Sequence, residues 1–286
     1  MLQADTARLV VSCRDQQGII AALSGVLAGL GANIIGSHQY STDPEGGAFF
    51  LRLEFHLAGL DDDRERVRAE LAPVVERFAM EPRLVFPGER KRLAILVSRR
   101  EHCLLDLLWR WRRHDLEFDL FGVVSNHADL RREVEEFGAV YHHVPVEEGR
   151  KPQAEQRMLE LLARKVDLVV LARYMQILSG DFLDRVGSPV INIHHSFLPA
   201  FVGASPYLQA RQRGVKLIGA TAHYATEELD EGPIIEQDVM RVPQGMSAHD
   251  LERVGADIER IVLARAVQWH LDDRLFVHEN RTVMLG

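Results

Sequence analysis

From Leu93 onward, short apolar runs alternate with segments of helical periodicity, and this alternation restricts the fold more than any other feature of the chain. The runs are Leu93 to Val97, Leu120 to Ser125, Val140 to His143, Leu168 to Ala172 and Val190 to His194. Helical patterns lie between them at Leu104 to Arg113, Leu130 to Phe137, Ala154 to Lys165 and Asp181 to Val186. Strands that read as continuous apolar runs are buried on both faces, and a helix between each pair makes the connection a crossover. The expectation is an α/β region with a mostly parallel, Rossmann-like sheet covered by helices. Two later strands, Gly219 to Tyr224 and Ile234 to Val242, follow it. A long helix then opens at Ser247, where Ser247 and Asp250 resemble a capping box, and reaches Leu271.

The first 85 residues have a different pattern. Leu9 to Ser12 reads as a strand, Gly18 to Leu30 as a helix and Asn33 to Tyr40 as a second strand. After the turn signal Asp43-Pro44-Glu45-Gly46-Gly47, Phe49, Leu51, Leu53 and Phe55 alternate with Phe50, Arg52 and Glu54, the period of two that a strand imposes. Asp62 to Phe78 returns to helical spacing through Val67, Leu71, Val74 and Val75, and Arg83 to Phe86 closes the unit. The order is ferredoxin-like, βαββαβ. A polar stretch, Pro87 to Arg92, separates the two patterns, so the expected domains are 1–86 and 93–286 with 87–92 as linker. A length of 286 residues accommodates two such domains.

Composition removes several function classes. The net charge of -8 gives no footprint for nucleic acid, and 47% hydrophobic with 27% charged residues is ordinary globular usage. Gly18 to Ser37 carries no charge, yet glycines and Asn33 interrupt it and its large apolar residues share one side. It reads as a half-buried helix and not as a membrane span. Cys13 and Cys103 match no metal or redox spacing, and the N-terminal residues lack a signal-peptide pattern, so a cytoplasmic protein is expected.

In an open α/β sheet the ligand lies beyond the carboxyl ends of the strands. At the end of Val190 to His194, strand alternation puts Asn192 and His194 on one face, about 7 Å apart in Cα position, where an amide donor and an imidazole converge on one electrophile. The plainer alternative is that both satisfy local backbone groups. His195 points the other way if the strand persists, which weakens a metal site shared by both histidines. A metal site of His194, His223 and Asp230 stays open by spacing, although no supporting motif accompanies it. Asp230 precedes a Gly-Pro turn and is either a turn residue or the carboxylate that orients a histidine and positions a water. Asn192, His194 and Asp230 together supply an oxyanion donor, an acid and a base, a set suited to acyl transfer or hydrolysis.

Three segments, Asn192-Ile193-His194-His195-Ser196-Phe197-Leu198-Pro199-Ala200-Phe201, Gly219-Ala220-Thr221-Ala222-His223-Tyr224 and Leu229-Asp230-Glu231-Gly232-Pro233-Ile234-Ile235, resemble the formyltransferase family that handles 10-formyltetrahydrofolate. The likeness extends to Leu171-Ala172-Arg173-Tyr174-Met175, to Val97-Ser98 with His102-Cys103-Leu104, and to Asn280-Arg281-Thr282. The doubled histidine before Ser196 is similar to the deformylase branch, where glycinamide ribonucleotide transformylases usually show His-Pro-Ser. The N-terminal unit resembles an ACT domain, with Asp15-Gln16-Gln17-Gly18-Ile19 at a strand-to-helix turn and Asn33-Ile34 opening the next strand.

The resemblance implies hydrolysis of 10-formyltetrahydrofolate to tetrahydrofolate and formate, supplying formate for purine synthesis and balancing one-carbon folate pools. Asn192 would donate to the developing oxyanion, His194 would add a donor and protonate the leaving N10, and Asp230 would orient His194 and take the proton of the attacking water. The pterin would lie against Arg173, Tyr174, Met175, Gln176, Ile177 and Leu178 and against Thr226, Glu227, Glu228, Leu229 and Asp230. No metal and no nicotinamide is implied. Asp15, Gly18 and Asn33 would bind an amino-acid effector where two ACT-like units pair, in a homo-oligomer without nucleic-acid or membrane partners. The chain departs from the family pattern at Ser205, where a basic residue is common, and at Leu208, where a histidine is common.

Two other function classes compete: formyl transfer to an amine such as glycinamide ribonucleotide, and a non-catalytic amino-acid sensor. The sensor leaves Asn192, His194 and Asp230 without purpose. The transferase needs a phosphate cradle, usually a glycine-rich turn, whereas Ser98-Arg99-Arg100-Glu101-His102-Cys103 contains no glycine.

Overall fold

A computed structural model describes residues 4–200, 206–243 and 245–286. The chain separates into two compact units, one of residues 1–89, 272–279 and 283–286, the other of residues 90–271 and 280–282.

The first unit holds β1 (Thr6–Arg14), α1 (Ile19–Gly29), β2 (Asn33–Ser41), β3 (Ala48–His56), α2 (Leu60–Arg77) and β4 (Glu81–Val85). Its antiparallel sheet has the order β2-β3-β1-β4, the βαββαβ arrangement expected. Gly18 makes the turn into α1 with φ of 93°, a conformation that glycine adopts without a Cβ penalty. Spacing of four then brings Ile19, Leu23 and Leu27 onto one buried stripe. These residues pack with Leu9, Val11, Leu51, Leu53, Phe55, Val67 and Leu71 in one core between sheet and helices.

The opposite face of this sheet is covered by residues late in the sequence: Val10 and Phe50 pack with Phe276 and Leu285. Phe50 and Phe276 have ring centroids 5.1 Å apart. Asp273, 2% exposed, receives Arg8 Nη1 at 2.9 Å and pairs with Arg83, and Arg52 Nε donates to the Asp272 carbonyl at 3.0 Å. The expected second domain of 93–286 is therefore too long at its far end. Most of residues 272–286 belongs to the first unit, because Asp273 and Phe276 find their charge and apolar partners there.

The second unit runs β5 (Arg92–Val97), α3 (His102–Arg112), β6 (Asp119–Ser125), α4 (Arg131–Glu136), β7 (Tyr141–His143), α5 (Lys151–Leu162), β8 (Leu168–Leu171), α6 (Gly180–Val186), β9 (Val190–His194), α7 (Pro206–Arg213), β10 (Leu217–Tyr224), β11 (Ile234–Arg241) and α8 (Ala248–Leu271). The sheet order is β11-β10-β9-β8-β5-β6-β7. Strands β5 to β9 pair in parallel, whereas β10 runs antiparallel to both its neighbours. From β5 the chain winds outward through β6 and β7, then returns to the other side of β5 with β8. The crevice between the carboxyl ends of β5 and β8 is thus the topological switch point, where ligands bind in such folds. The capping box of α8 forms as expected: Ser247 N donates to Asp250 Oδ2 at 3.0 Å and Asp250 N to Ser247 Oγ at 3.1 Å. At the other end of α8, Lys91 Nζ donates to the carbonyls of His270 and Leu271 in the last helical turn. Two short strands, β12 (Leu275–His278) and β13 (Arg281–Met284), pair with one another and were not expected.

Candidate active site

Strand β9 delivers Asn192 and His194 to the switch-point end of the sheet, on one face as alternation requires. The register of β9 against β10 sets Asn192 opposite His223 and His194 opposite Thr221. Asn192 Nδ2 lies 3.2 Å from His223 Nε2, and His223 Nδ1 lies 3.0 Å from the Tyr224 carbonyl. With Nδ1 donating to that carbonyl, a neutral His223 accepts one amide hydrogen at Nε2 and leaves the second N–H of Asn192 for a ligand, whereas a protonated His223 turns Nε2–H toward Asp230. A β-bulge at Ala222/His223 sits directly beside this contact.

Asp230 arrives from the loop between β10 and β11. Its φ is 60°, in the left-handed region that aspartate tolerates better than most residues. Gly232 makes the loop possible: a Cβ there would meet the Tyr224 carbonyl oxygen at 1.8 Å, so only glycine lets the loop lie so close to the end of β10. The result is a carboxylate flanked by two imidazoles, with Asp230 Oδ1 3.2 Å from His194 Nδ1 and 3.7 Å from His223 Nε2. Burial acts to raise the Asp230 pKa, but hydrogen bonding to His194 and His223 and the charge of these imidazoles outweigh it and hold the carboxyl well below its ordinary range. With Nδ1 turned to Asp230, His194 Nε2 is buried and has no partner among the described residues. A buried polar atom without a partner is costly, and two residues lining this cavity carry one, His194 at Nε2 and Arg173 at Nε.

Asn192, His194 and Asp230 line a cavity of about 1090 Å³, at the upper limit of small-molecule sites, together with Arg173, Tyr174, Met175, Gln176, Ile177, Leu178, Thr226, Glu227 and Leu229. Glu228 is the exception among the expected residues. It is exposed, and its carbonyl accepts from Thr226 Oγ1 at 3.1 Å within the turn. Tyr174 contributes backbone more than ring, since its hydroxyl is buried 3.5 Å from Met158 Sδ and burial, with Glu155 nearby, pushes its pKa up. Met175, Ile177 and Leu229 are at least half exposed although apolar, which suits a wall waiting for a flat ring system. The Arg173 segment is held by Ser98: its backbone N donates to the Arg173 carbonyl at 3.2 Å, and its Oγ accepts from Met175 N at 2.9 Å.

Two functional groups escaped the sequence reading. The sequence offers His223 only as a metal ligand, and its place opposite Asn192 depends on the β9/β10 register. Glu259, 1% exposed, lies on the buried stripe of α8 with Gly255, Val262 and Leu263, and a charge at helical spacing in an apolar stripe was a readable signal. Glu259 Oε2 accepts from His102 Nε2 at 2.7 Å and lies 3.5 Å from Arg173 Nε. His195 borders this cluster, and burial first, then Arg173, push its pKa down to about 3, so its ring stays neutral.

Among the described residues, the donors close enough to share a metal ion are His102, Cys103 and Glu259, all within 4.8 Å of one another. They suit a salt bridge better. The Arg173 cation already faces Glu259, and burial, then the Glu259 charge, push the Cys103 thiol well up and keep it protonated.

In the N-terminal unit a second cavity of about 460 Å³ is bounded by Asp15, Gly18, Ile19, Tyr40 and Ser41. Ser41 Oγ donates to the Asp15 carboxylate. Asn33 does not join them. It opens β2 opposite His56, whereas the cavity lies at the other end of that strand, so the expected grouping of Asp15, Gly18 and Asn33 is corrected to the first two. Ser205 lies outside the described residues, and of Leu208 only its place in α7 is described.

The formyl transferase family profile matches residues 91–267, and the ACT domain profile matches residues 7–72. A formyltetrahydrofolate deformylase from Mycobacterium tuberculosis is 55% identical over 98% of this chain and 91% of its own length, and one from Bacillus subtilis is 51% identical over 99% and 94%. The crystal structure of a formyltetrahydrofolate deformylase from Pseudomonas syringae superposes with a TM-score of 0.92 at 46% identity, covering 99% of this chain and 95% of that one. A glycinamide ribonucleotide transformylase from Symbiobacterium toebii reaches a TM-score of 0.67 at 30% identity, covering 71% of this chain and 98% of its own. The doubled histidine, the two-unit fold and full-length identity agree: the chain belongs to the formyltetrahydrofolate deformylase family, an ACT domain joined to a formyl transferase domain.

Proposed function

We propose that the chain hydrolyses 10-formyltetrahydrofolate to tetrahydrofolate and formate. The observation that carries this reading is the convergence of Asn192, His194 and Asp230 on one cavity wall, with His194 Nε2 buried and unpartnered among the described residues. Protonated His194 donates Nε2–H, and Asn192 its second amide N–H, to the formyl oxygen. Water attacks the formyl carbon, a C–O bond forms, and the water proton moves to Asp230. With its low pKa, Asp230 does not make free hydroxide. The transfer accompanies C–O bond formation, when the water has become strongly acidic. His194 then gives its proton to N10 and the C–N10 bond breaks, leaving formic acid. Asp230 returns its proton to His194, and formic acid releases its own to solvent. No metal or cofactor enters this sequence.

Water is the acceptor in this reading because the exit of β5 offers no bare backbone cradle for a phosphate. Arg99 and Arg100 do reach the cavity, but they face Asp129 at 3.8 Å and Glu252 at 3.1 Å. The test is turnover of 10-formyltetrahydrofolate by the purified chain, with products resolved. Formate in step with folate consumed, unchanged by glycinamide ribonucleotide, is expected. Formylated ribonucleotide with little formate would replace the hydrolase by a transferase.

The proposal extends to the N-terminal unit: its small cavity beside Asp15 and Gly18 takes a small amino acid, and edge strand β2, with exposed Ile35 and Tyr40, pairs with a second copy. Titration calorimetry of the full chain against amino acids, and sedimentation, test the two parts. Two free cysteines fit a cytoplasmic setting, and no described helix is long and apolar enough to cross a membrane.

A further inference from the structure

We propose that Glu259 is a positioning residue for the folate wall, acting through Arg173. This inference rests on the hydrolase reading for its substrate. Arg173 opens the wall segment that runs to Leu178, and it does so with φ of 64°, a conformation that non-glycine residues hold only where the surroundings impose it. Ser98 fixes the backbone on one side, as described above. The side chain needs a second constraint, because a guanidinium only 11% exposed is expensive without a counter-charge. Glu259 supplies it from the middle of α8, with its carboxylate 3.5 Å from Arg173 Nε.

Glu259 is in turn fixed by the His102 Nε2 donor at 2.7 Å, so α8, the start of α3 and the end of β8 meet in one part-buried bridge. Glu259, His102 and Arg173 all border the cavity, yet none is needed for a bond-making step in the proposed reaction. The bridge is therefore a brace. With Glu259 in place, the left-handed turn at Arg173 is the conformation in which the cation is neutralised. Without it, the guanidinium seeks solvent, the turn relaxes, and Met175 and Ile177 leave the positions that receive the substrate ring.

The experiment is a double-mutant cycle on Glu259→Gln and Arg173→Gly, reading KM and kcat for 10-formyltetrahydrofolate together with melting temperature. Glutamine keeps the volume and an acceptor for His102 but removes the charge. Glycine adopts a positive φ freely and removes the cation that needs neutralising. Glu259→Gln alone is expected to raise KM about tenfold while changing kcat less than about threefold, the size typical of coupled buried pairs. In the Arg173→Gly background the same substitution is expected to cost less than about twofold, because no buried cation remains to be stranded. Should Glu259→Gln alone fold poorly, the double variant is expected to melt higher than it does.

Equal effects of Glu259→Gln in both backgrounds, a loss confined to kcat, or an unchanged KM would overturn the brace. A wild-type chain that consumes no folate would instead count against the hydrolase reading, while the melting temperatures of the four proteins would still decide whether Glu259 and Arg173 are coupled.

Discussion

Asp230 and Asp273 both combine a buried carboxylate with a positive φ, and each is shared between two cationic or potentially cationic side chains. Asp230 stands between His194 and His223, in the cavity of the second unit. Asp273 stands between Arg8 and Arg83, on the sheet of the first. An imidazole takes up and gives away a proton near neutral pH and a guanidinium does not. In the proposed reaction the same carboxylate geometry is therefore a proton relay in one place and a fixed clasp in the other, and what decides between them is the chemistry of the partners.

The largest expected effect comes from spoiling the relay. Asp230→Asn keeps the shape of the loop and removes the proton acceptor, so steady-state kinetics are expected to show kcat lower by about two to four powers of ten with little change in melting temperature. Asp273→Ala is expected to do the reverse. Arg8 keeps Glu54 but loses the Asp273 hydrogen bond, which costs about 2 kcal/mol in denaturant unfolding, while turnover by the protein that remains folded is unaltered. If the first substitution mainly destabilises, or the second mainly slows catalysis, the distinction between relay and clasp is wrong.

Acid sharpens the comparison further. The unfolded chain binds a proton at His195 near pH 6.5, whereas the folded chain refuses it until about pH 3, so this contribution to stability rises with pH across that window and is lost as pH falls through it. Asp230 acts in the same sense only below its ordinary value of 3.8, because its folded carboxyl is held down. Thermal melts between pH 7 and pH 4 should therefore decline, and His195→Gln should flatten that decline. A slope indifferent to His195 would point to other groups. The smallest effect is expected at Gly18, where alanine has room for its Cβ but must hold φ of 93°. A loss of about 1 kcal/mol in chemical unfolding would match backbone strain alone, and no loss would show that the turn relaxes.

What was legible in the sequence was whatever repeats over short distances. The alternation of Phe49 to Phe55 and the stripe of Ile19, Leu23 and Leu27 are one-dimensional signals, and the strands and helices they predict are present within a few residues. Asn192 and His194 were legible for the same reason, since two residues on one strand share a face by rule. His223 was not, because its role depends on which residue of β9 it meets, and that is set by a register joining distant segments. Asn33 failed in the opposite way: it is near Gly18 in sequence, but a nine-residue strand carries it to the far end of the sheet from Ser41. The strands β12 and β13 have four residues each, too short to show a period, and the segment's role depends on Arg8 and Arg52, which no local pattern connects to Asp272 and Asp273.

The covering of the first sheet by residues near Asp273 also has a consequence for synthesis. A ribosome releases β1 to β4 long before it reaches Asp273, so the nascent unit has its helix-side core in place while Val10, Phe50, Arg8 and Arg52 still face water. Domains generally fold as they emerge, and exposed apolar strands are then vulnerable to wrong partners. This unit is made first and finished last. Arg8 and Arg52 keep the open face charged in the interval, and they become the sockets for Asp273 and the Asp272 carbonyl once translation of the intervening catalytic unit has ended.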